Sequence, residues 1–282
     1  MRRQLHLCAA LLLAALVPGC AWPAGSTSTS AEPGGPAATT TIPWASTTVP
    51  PGELPRETLP PETPTTRTTQ SPTTVTSLPA IPEGGVEYGR LPGDSKRVAL
   101  TFDASYDPTP LSSILATLES EGVPATFFFT GQFVEGFPEA VAAVVASGAP
   151  IGNHSYSHAD FTKASPDEIR SQLQRTADLL TLAGADDPRP LFRFPYGARN
   201  KATLAILGSE GYVSVYWTID TLDWKPERTT QEIHDVVMAK LGPGAIVLMH
   251  VGGRETASVL PSLIRDIRAK GYEFVDLRTA LR

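Results

Sequence analysis

The sequence predicts an α/β fold with a parallel sheet over residues 83–282. Two observations support this: short apolar runs have the composition of buried strands, and amphipathic segments of about a dozen residues alternate with them. Six or seven strand–helix units fit into this part of the chain. That number favours a barrel smaller than the eight-unit one, with a doubly wound open sheet as the alternative.

The predicted strands are continuous apolar runs, as expected where both faces of a parallel sheet are covered. In chain order they comprise residues 98–102, 125–129, a short strand that includes Ile151, then 191–194, 213–217, 245–249 and 273–275. The predicted helices comprise 111–121, 138–146, one that starts at Ser165 and Pro166, then 202–211, 230–241 and 259–270. Serine is a favoured helix cap and proline a favoured first helical residue.

Residues 21–82 differ in composition from the rest of the chain. Of these 62 residues, 13 are proline and 16 are threonine. Such a segment has too little apolar side-chain area to offset the entropy of ordering it. We therefore expect residues 20–82 to be a disordered, proline-stiffened tether and residues 83–282 to be one domain.

The N-terminus predicts export from the cytoplasm. Arg2 and Arg3 precede an apolar run over residues 7–17, a pattern typical of a secretory signal. The run is shorter than the roughly 20 residues that span a bilayer. Because a cysteine follows, residues 1–19 resemble a bacterial lipoprotein signal peptide. The resemblance implies a lipid on Cys20 and a membrane-anchored domain that faces the cell wall; secretion without a lipid is the alternative.

Charge and cysteine content indicate which partners and which covalent cross-links the predicted domain has. The whole chain has a net charge of −6, and no basic patch interrupts the domain, so we expect no nucleic-acid partner. Both cysteines, Cys8 and Cys20, lie in the N-terminal tip. The domain is therefore expected to fold without disulfides, and we expect it to be a monomer.

Polar residues with catalytic chemistry lie where the predicted strands end, and the carboxyl ends of parallel strands meet at one edge of a sheet. They are Asp103, His154, Arg193, Asp220, Asp223 and His250. His154 and His158 are four residues apart, so both can face one side of a helical turn and bind one metal ion. Two surface or capping histidines are the alternative.

The chemistry of the other residues suggests individual roles. A carboxylate such as Asp103 at a strand end can act as a general base, although a lone aspartate is more often a cap. Arg193 can hold a carboxylate through paired hydrogen bonds, and Asp223 can supply a second one. His250 has a pKa near neutrality and can donate a proton. Trp224 is either an aromatic wall of the site or part of the core.

Taken in order, these motifs resemble the polysaccharide deacetylases of the NodB-homology type, carbohydrate esterase family four. The resemblance covers residues 98–281. It rests on Thr101-Phe102-Asp103, His154-Ser155-Tyr156-Ser157-His158, Arg193-Phe194-Pro195-Tyr196-Gly197, Asp223-Trp224 and Leu248-Met249-His250. It implies a distorted (β/α)7 barrel that removes N-acetyl groups from a glycan with the help of a divalent metal, zinc or another ion.

The resemblance also implies a role for each site residue. Asp103 matches the catalytic base, Arg193 the residue that orients it, and His250 the general acid. Other positions match as follows: His154 and His158 metal ligands, Asp223 the carboxylate that holds the arginine, the backbone N–H of Tyr196 the oxyanion donor, and Trp224 and Leu248 walls of the acetyl pocket.

One position departs from the family pattern. The family has Thr-Phe-Asp-Asp, in which the second aspartate is a metal ligand, whereas this chain has Ala104. Asp107, in the same loop, is a candidate replacement. A non-catalytic relative that binds wall glycan without a competent metal site is therefore the alternative function. A serine esterase is not expected, because the sequence has no G-x-S-x-G motif. The tether makes peptidoglycan the expected substrate.

Overall fold

The structure is a computed structural model of the 282-residue chain, and it describes residue 82 and residues 84–282. The predicted signal peptide, Cys20 and all of the tether except its last residue lie outside the described residues. These three features therefore stay predictions.

In the described part of the chain, nine strands form one sheet in which every pair is parallel. They are β1 (Glu87–Tyr88), β2 (Arg97–Ala104), β3 (Ala125–Phe129), β4 (Ile151–Asn153), β5 (Leu191–Phe192), β6 (Val213–Val215), β7 (Ile219–Asp220), β8 (Ala245–His250) and β9 (Glu273–Phe274). The strand order is β1-β6-β5-β4-β3-β2-β8-β7, and β9 pairs with the start of β2.

Helices connect the strands and cover the outside of the sheet. They are α1 (Leu111–Glu121), α2 (Gly131–Gly136), α3 (Pro138–Ser147), α4 (Pro166–Leu182), α5 (Lys201–Ser209), α6 (Thr230–Lys240), α7 (Thr256–Ala269) and α8 (Leu277–Ala280). Ser165 caps α4 by accepting a hydrogen bond from the Glu168 backbone N–H, as the sequence predicts. None of the helices in the described part of the chain has the length and apolarity needed to cross a membrane.

The strand order confirms the predicted barrel-like α/β fold. Consecutive strands from β2 to β6 are neighbours, and β8 returns to pair with β2 on its other side. The ring is open, because β7 pairs with β8 while β1 covers the edge of β6. All seven predicted strands are present; β1 and β7 are additions of two residues each.

The predicted strand 191–194 ends at Phe192, earlier than expected. The chain then forms a single 3₁₀ turn over Pro195–Gly197, in which Tyr196 has a φ of 58°. Arg193 directly follows β5, before this turn, and its side chain is fully buried.

Alternation along β2 separates the core from the site. Leu100, Phe102 and Ala104 belong to the largest apolar cluster, which the inner faces of the helices complete. Stacked phenylalanines extend that cluster, with 5.2 Å between the ring centroids of Phe102 and Phe127. Thr101 and Asp103 alternate with those residues, so their side chains lie on the opposite face of the strand, inside the curled sheet.

Candidate active site

The candidate residues meet at the carboxyl end of the sheet. Asp103 and His250 are register partners on the adjacent strands β2 and β8. His154 directly follows β4, and Arg193 directly follows β5. The parallel sheet therefore collects side chains from four strands at one edge, as expected for this type of fold.

Arg193 is a buried cation with four hydrogen-bond partners. Its Nη1 donates to Asp103 Oδ1 at 2.8 Å and to Thr101 Oγ1 at 2.9 Å. Its Nε donates to the carbonyl of Val215 at 3.1 Å, and Nη2 donates to the carbonyl of Tyr216 at 3.3 Å. Because a buried charge is costly unless it is paired and hydrogen-bonded, these contacts hold the guanidinium in one orientation.

This arrangement keeps Asp103 ionised. The side chain is 5% exposed, and burial alone would raise its pKa. The positive charge of Arg193 and the nearby histidines His154 and His250 oppose burial and leave the pKa of Asp103 below its ordinary value. A buried carboxylate that is ionised at neutral pH can accept a proton from a bound water molecule.

The position of Asp223 differs from the one predicted. We expected its carboxylate to hold Arg193, but its hydrogen bonds go to His250: Oδ1 accepts from His250 Nδ1 at 2.7 Å, and Oδ2 accepts from the His250 backbone N–H at 2.8 Å. The hydroxyl of Thr256 donates to the same Oδ2. The physical reason is the strand order, because β7 pairs with β8 and brings the loop after β7 beside the end of β8.

His250 therefore belongs to a histidine–carboxylate pair. Burial would lower its pKa, but the hydrogen bond and charge of Asp223 outweigh burial and raise the pKa of His250 above its ordinary value. A side chain at Gly253 would collide with this pair, since a Cβ there would lie 2.7 Å from Asp223 Oδ2. Since Nδ1 is bonded to Asp223, Nε2 is the nitrogen left to donate a proton to a ligand.

The two predicted metal-binding histidines lie close together, but on a loop. The expected helical turn over His154–His158 is wrong: Ser155 and His158 have φ values of 67° and 58°, and no helix forms there. The two imidazole centroids are still 4.9 Å apart. Left-handed backbone at two non-glycine residues is not apparent from sequence spacing, which explains the error.

The electrostatic state of both imidazoles suits metal ligation. His154 Nδ1 lies 2.8 Å from the carbonyl of Arg193, which can only accept, so Nδ1 carries the proton and Nε2 keeps its lone pair. That Nε2 is 3.5 Å from Asp103 Oδ2. Burial lowers the pKa of His154, and burial together with His154 lowers the pKa of His158 to about 4. Both rings are neutral at pH 7, as metal ligands must be.

The two imidazoles thus fit a divalent ion at two of its coordination positions. In the described part of the chain, however, no group of three His, Cys, Asp or Glu side chains is arranged to hold a metal. Ala104 is buried in the outer apolar cluster. Asp107, the candidate replacement, accepts a hydrogen bond from the Thr109 backbone N–H at 2.9 Å and does not complete such a group.

The remaining predicted site residues lie in strands of the site or in the loops after them. Tyr196, whose backbone N–H is the predicted oxyanion donor, is 73% exposed, and its ring lies edge-on to His158, with 4.4 Å between the ring centroids. The predicted walls of the acetyl pocket are Trp224, which is 49% exposed and follows Asp223, and Leu248, which is buried in β8. The sequence analysis assigned no role to Thr256 or to Thr101, although Thr101 belongs to the first motif; their hydroxyls bind Asp223 and Arg193. Neither role has a sequence signal, because each depends on a partner distant in sequence.

Comparison with known proteins agrees with this geometry. The family model for polysaccharide deacetylase matches residues 90–215. The peptidoglycan-N-acetylglucosamine deacetylase of Bacillus cereus is 35% identical over 190 residues, which cover 66% of this chain and 68% of that protein. The peptidoglycan-N-acetylmuramic acid deacetylase PdaA of Bacillus subtilis is 32% identical over 182 residues, 64% of this chain and 69% of that protein.

Among solved structures, a pseudoenzyme of carbohydrate esterase family 4 from Bacillus anthracis superposes with a TM-score of 0.67 at 31% identity, covering 70% of this chain and 69% of that one. A mutant of that pseudoenzyme is described as having restored enzymatic activity. The family therefore contains both active and inactive members. On the sequence match, the shared fold and the five motifs, this chain belongs to the polysaccharide deacetylase family, carbohydrate esterase family 4.

Proposed function

We propose that this chain is a hydrolase that removes N-acetyl groups from a cell-wall glycan and releases acetate, with peptidoglycan as its substrate. The observation that supports this most directly is a pair of opposed acid–base groups on adjacent strands. Arg193 keeps the pKa of Asp103 below its ordinary value, and Asp223 raises the pKa of His250 above its ordinary value. Two groups whose environments shift their pKa values in opposite directions are suited to act as base and acid in one reaction.

In the first step Asp103 takes a proton from a water molecule, and the oxygen of that water attacks the acetamide carbonyl carbon. Arg193 cannot take up that proton, so its role is to fix the carboxylate in the attacking geometry. The backbone N–H of Tyr196 is the candidate donor to the oxyanion that forms. In the second step the carbon–nitrogen bond breaks, and His250 gives its Nε2 proton to the departing sugar nitrogen. The products are acetate and a free amine on the sugar.

His154 and His158 are the residues that would hold a divalent ion, for which we propose zinc. Such an ion, when bound, supplies polarisation of the water and of the acetamide carbonyl. The neutral state of both imidazoles and the free Nε2 of His154 support this assignment. Ala104 leaves one family position without a ligand, so we expect weaker metal affinity than in a site with three protein ligands.

A non-catalytic wall-glycan binding protein is the second candidate function. Ala104 and the pseudoenzyme among the structural neighbours favour it. The intact base and acid pairs argue against it, because a buried arginine–carboxylate pair and a histidine–carboxylate pair have no evident use in binding alone.

Acetate release distinguishes the two functions. The full chain is incubated with peptidoglycan and with N-acetylglucosamine oligomers, first with a chelator and then with added zinc, and acetate is measured. Zinc-dependent release supports the deacetylase. Glycan that co-sediments with the protein while no acetate appears with any divalent ion would establish the binding function.

The N-terminal pattern supports a location for this activity. We propose that a lipid on Cys20 and the Pro/Thr-rich segment hold the domain at the outer face of the membrane, within reach of the cell wall. Cys20→Ala is expected to move the protein from the membrane fraction to the medium. Unchanged membrane association would contradict the anchor.

A further inference from the structure

Exposed aromatic rings surround the proposed active site. Four large apolar side chains are exposed in the described residues: Tyr106 (57%), Leu182 (85%), Tyr196 (73%) and Trp224 (49%). Leu182 ends α4. The other three are aromatic, and each lies in a loop that follows a strand of the site. Tyr196 and Trp224 match positions of the family motifs, whereas Tyr106 has no assigned role.

The ring of Tyr106 lies on the His250 side of the site. It packs on Gly252, two residues after His250, so closely that a Cβ at Gly252 would be 2.9 Å from Tyr106 Cε2 and 3.1 Å from Cζ. Partial burial and the negative charges of Asp223 and Asp107 raise the pKa of Tyr106, so its hydroxyl stays protonated. Gly252 therefore provides the space that fixes this ring.

Tyr196 borders the same site at a different place. Its ring contacts His158, whereas Tyr106 contacts the loop that follows His250. The two exposed rings therefore lie beside two different loops of the site.

The chemistry of a phenol ring suits a sugar ligand. A pyranose ring has apolar C–H faces and a polar rim, and a tyrosine combines a flat apolar face with a polar hydroxyl. Sugar sites use such rings because few side-chain rotamers are lost on binding. An exposed tyrosine held by packing is therefore better prepared for a sugar than a mobile one.

We propose that Tyr106 forms a sugar-binding subsite beside His250, so that the ligand of this chain is an internal segment of an N-acetylated glycan and not a single amino sugar. The inference rests on the proposed function for its ligand class. It goes further by naming a substrate-binding residue and by requiring that the ligand occupy the positions next to the acetylated sugar.

Binding measurements test this without requiring turnover. The full chain carrying Asp103→Asn is titrated calorimetrically with the N-acetylglucosamine pentamer. Adding Tyr106→Ala is expected to lower the affinity for the pentamer about tenfold, which corresponds to about 1.4 kcal/mol of binding free energy. Tyr106→Phe keeps the ring and is expected to lose less than Tyr106→Ala. Leu182→Ala removes an exposed apolar side chain elsewhere and is expected to leave the affinity unchanged.

A second pair of variants moves the ring without deleting it. Gly252→Ala is expected to lower the affinity for the pentamer, because the added Cβ displaces the ring of Tyr106. Gly136→Ala, where a Cβ would meet no atom within 4 Å, is the matched control and is expected to have no effect. Pentamer affinity within twofold of the parent in both Tyr106→Ala and Gly252→Ala would overturn the subsite.

The failures of the two proposals are distinguishable. If the unmutated chain releases no acetate but its affinity for glycan still depends on Tyr106, the deacetylase is refuted and the subsite is supported. If the unmutated chain releases acetate but Tyr106→Ala leaves the affinity unchanged, the subsite alone is refuted.

Discussion

Replacing Asp223 by asparagine is expected to disable the acid of the proposed reaction while leaving the base in place. The carboxylate accepts three hydrogen bonds, two from His250 and one from Thr256. An asparagine side chain in its place has only one oxygen. If that oxygen keeps the His250 backbone N–H and Thr256, the amide NH₂ faces His250 Nδ1 and cannot accept its proton.

The structure gives the size of this effect. The lost contact is a charge-assisted hydrogen bond to a protonated imidazole, worth about 1.5–3 kcal/mol. Since 1.36 kcal/mol is a factor of ten in rate, kcat/KM is expected to fall about 10- to 150-fold. Asp223 raises the pKa of His250, and His250 must be protonated to donate. Without that carboxylate His250 loses its proton at a lower pH than in the parent. The alkaline limb of the pH profile is therefore expected to shift to lower pH.

Acetate release from the N-acetylglucosamine pentamer, measured as kcat/KM across pH at saturating zinc, tests this. Asp220→Asn is the matched control, because Asp220 adds negative charge near His250 without bonding to it. It is expected to shift the alkaline limb less. An acidic limb that moves in Asp223→Asn while the alkaline limb stays would mean that Asp223 acts through Arg193 and Asp103, and would refute the assignment.

Three further substitutions test other parts of the site. Asp103→Asn is expected to abolish acetate release while bound zinc, measured by metal analysis, stays nearly unchanged; full activity would exclude Asp103 as the base. Ala104→Asp places a carboxylate in the apolar cluster, so thermal unfolding without metal is expected to show a loss of about 1–3 kcal/mol. From the family pattern the same variant is expected to bind zinc more tightly, which requires the new carboxylate to turn from the core face of β2 toward His154 and His158; an unchanged zinc Kd would show that it does not reach them. Thr256→Val removes one donor from Asp223, so the alkaline limb is expected to move up, opposite to Asp223→Asn; movement down would contradict this use of Thr256.

The fold was largely predictable because buried parallel strands have continuous apolar sequences. The strand at 125–129 and the start of α4 at Ser165 and Pro166 follow directly from residue type. The strands β1 and β7 were missed, since two residues carry no pattern of their own. Their pairing depends on how the whole sheet curls.

The composition of the site was predictable, but not all of its contacts. Strand-end position and the family motifs identified Asp103, Arg193 and His250, which the structure brings together. The predicted partner of Asp223, Arg193, was wrong. Its observed partner His250 is 27 positions away in the sequence, and that contact depends on the pairing of β7 with β8. The role of Tyr106 was not apparent either, because it depends on the space left by Gly252.

The four hydrogen bonds of Arg193 make one side chain part of both the reaction and the fold. Where the chain leaves β6 for β7, the carbonyls of Val215 and Tyr216 bond to the guanidinium. A cation thus satisfies backbone acceptors that a neighbouring strand would satisfy elsewhere. Lysine, with one nitrogen, cannot reach Asp103, Thr101 and both carbonyls together. A substitution of Arg193 would therefore leave these two buried carbonyls without their partner and remove the orientation of the base at the same time, so a loss of activity in such a variant would include a cost to the fold.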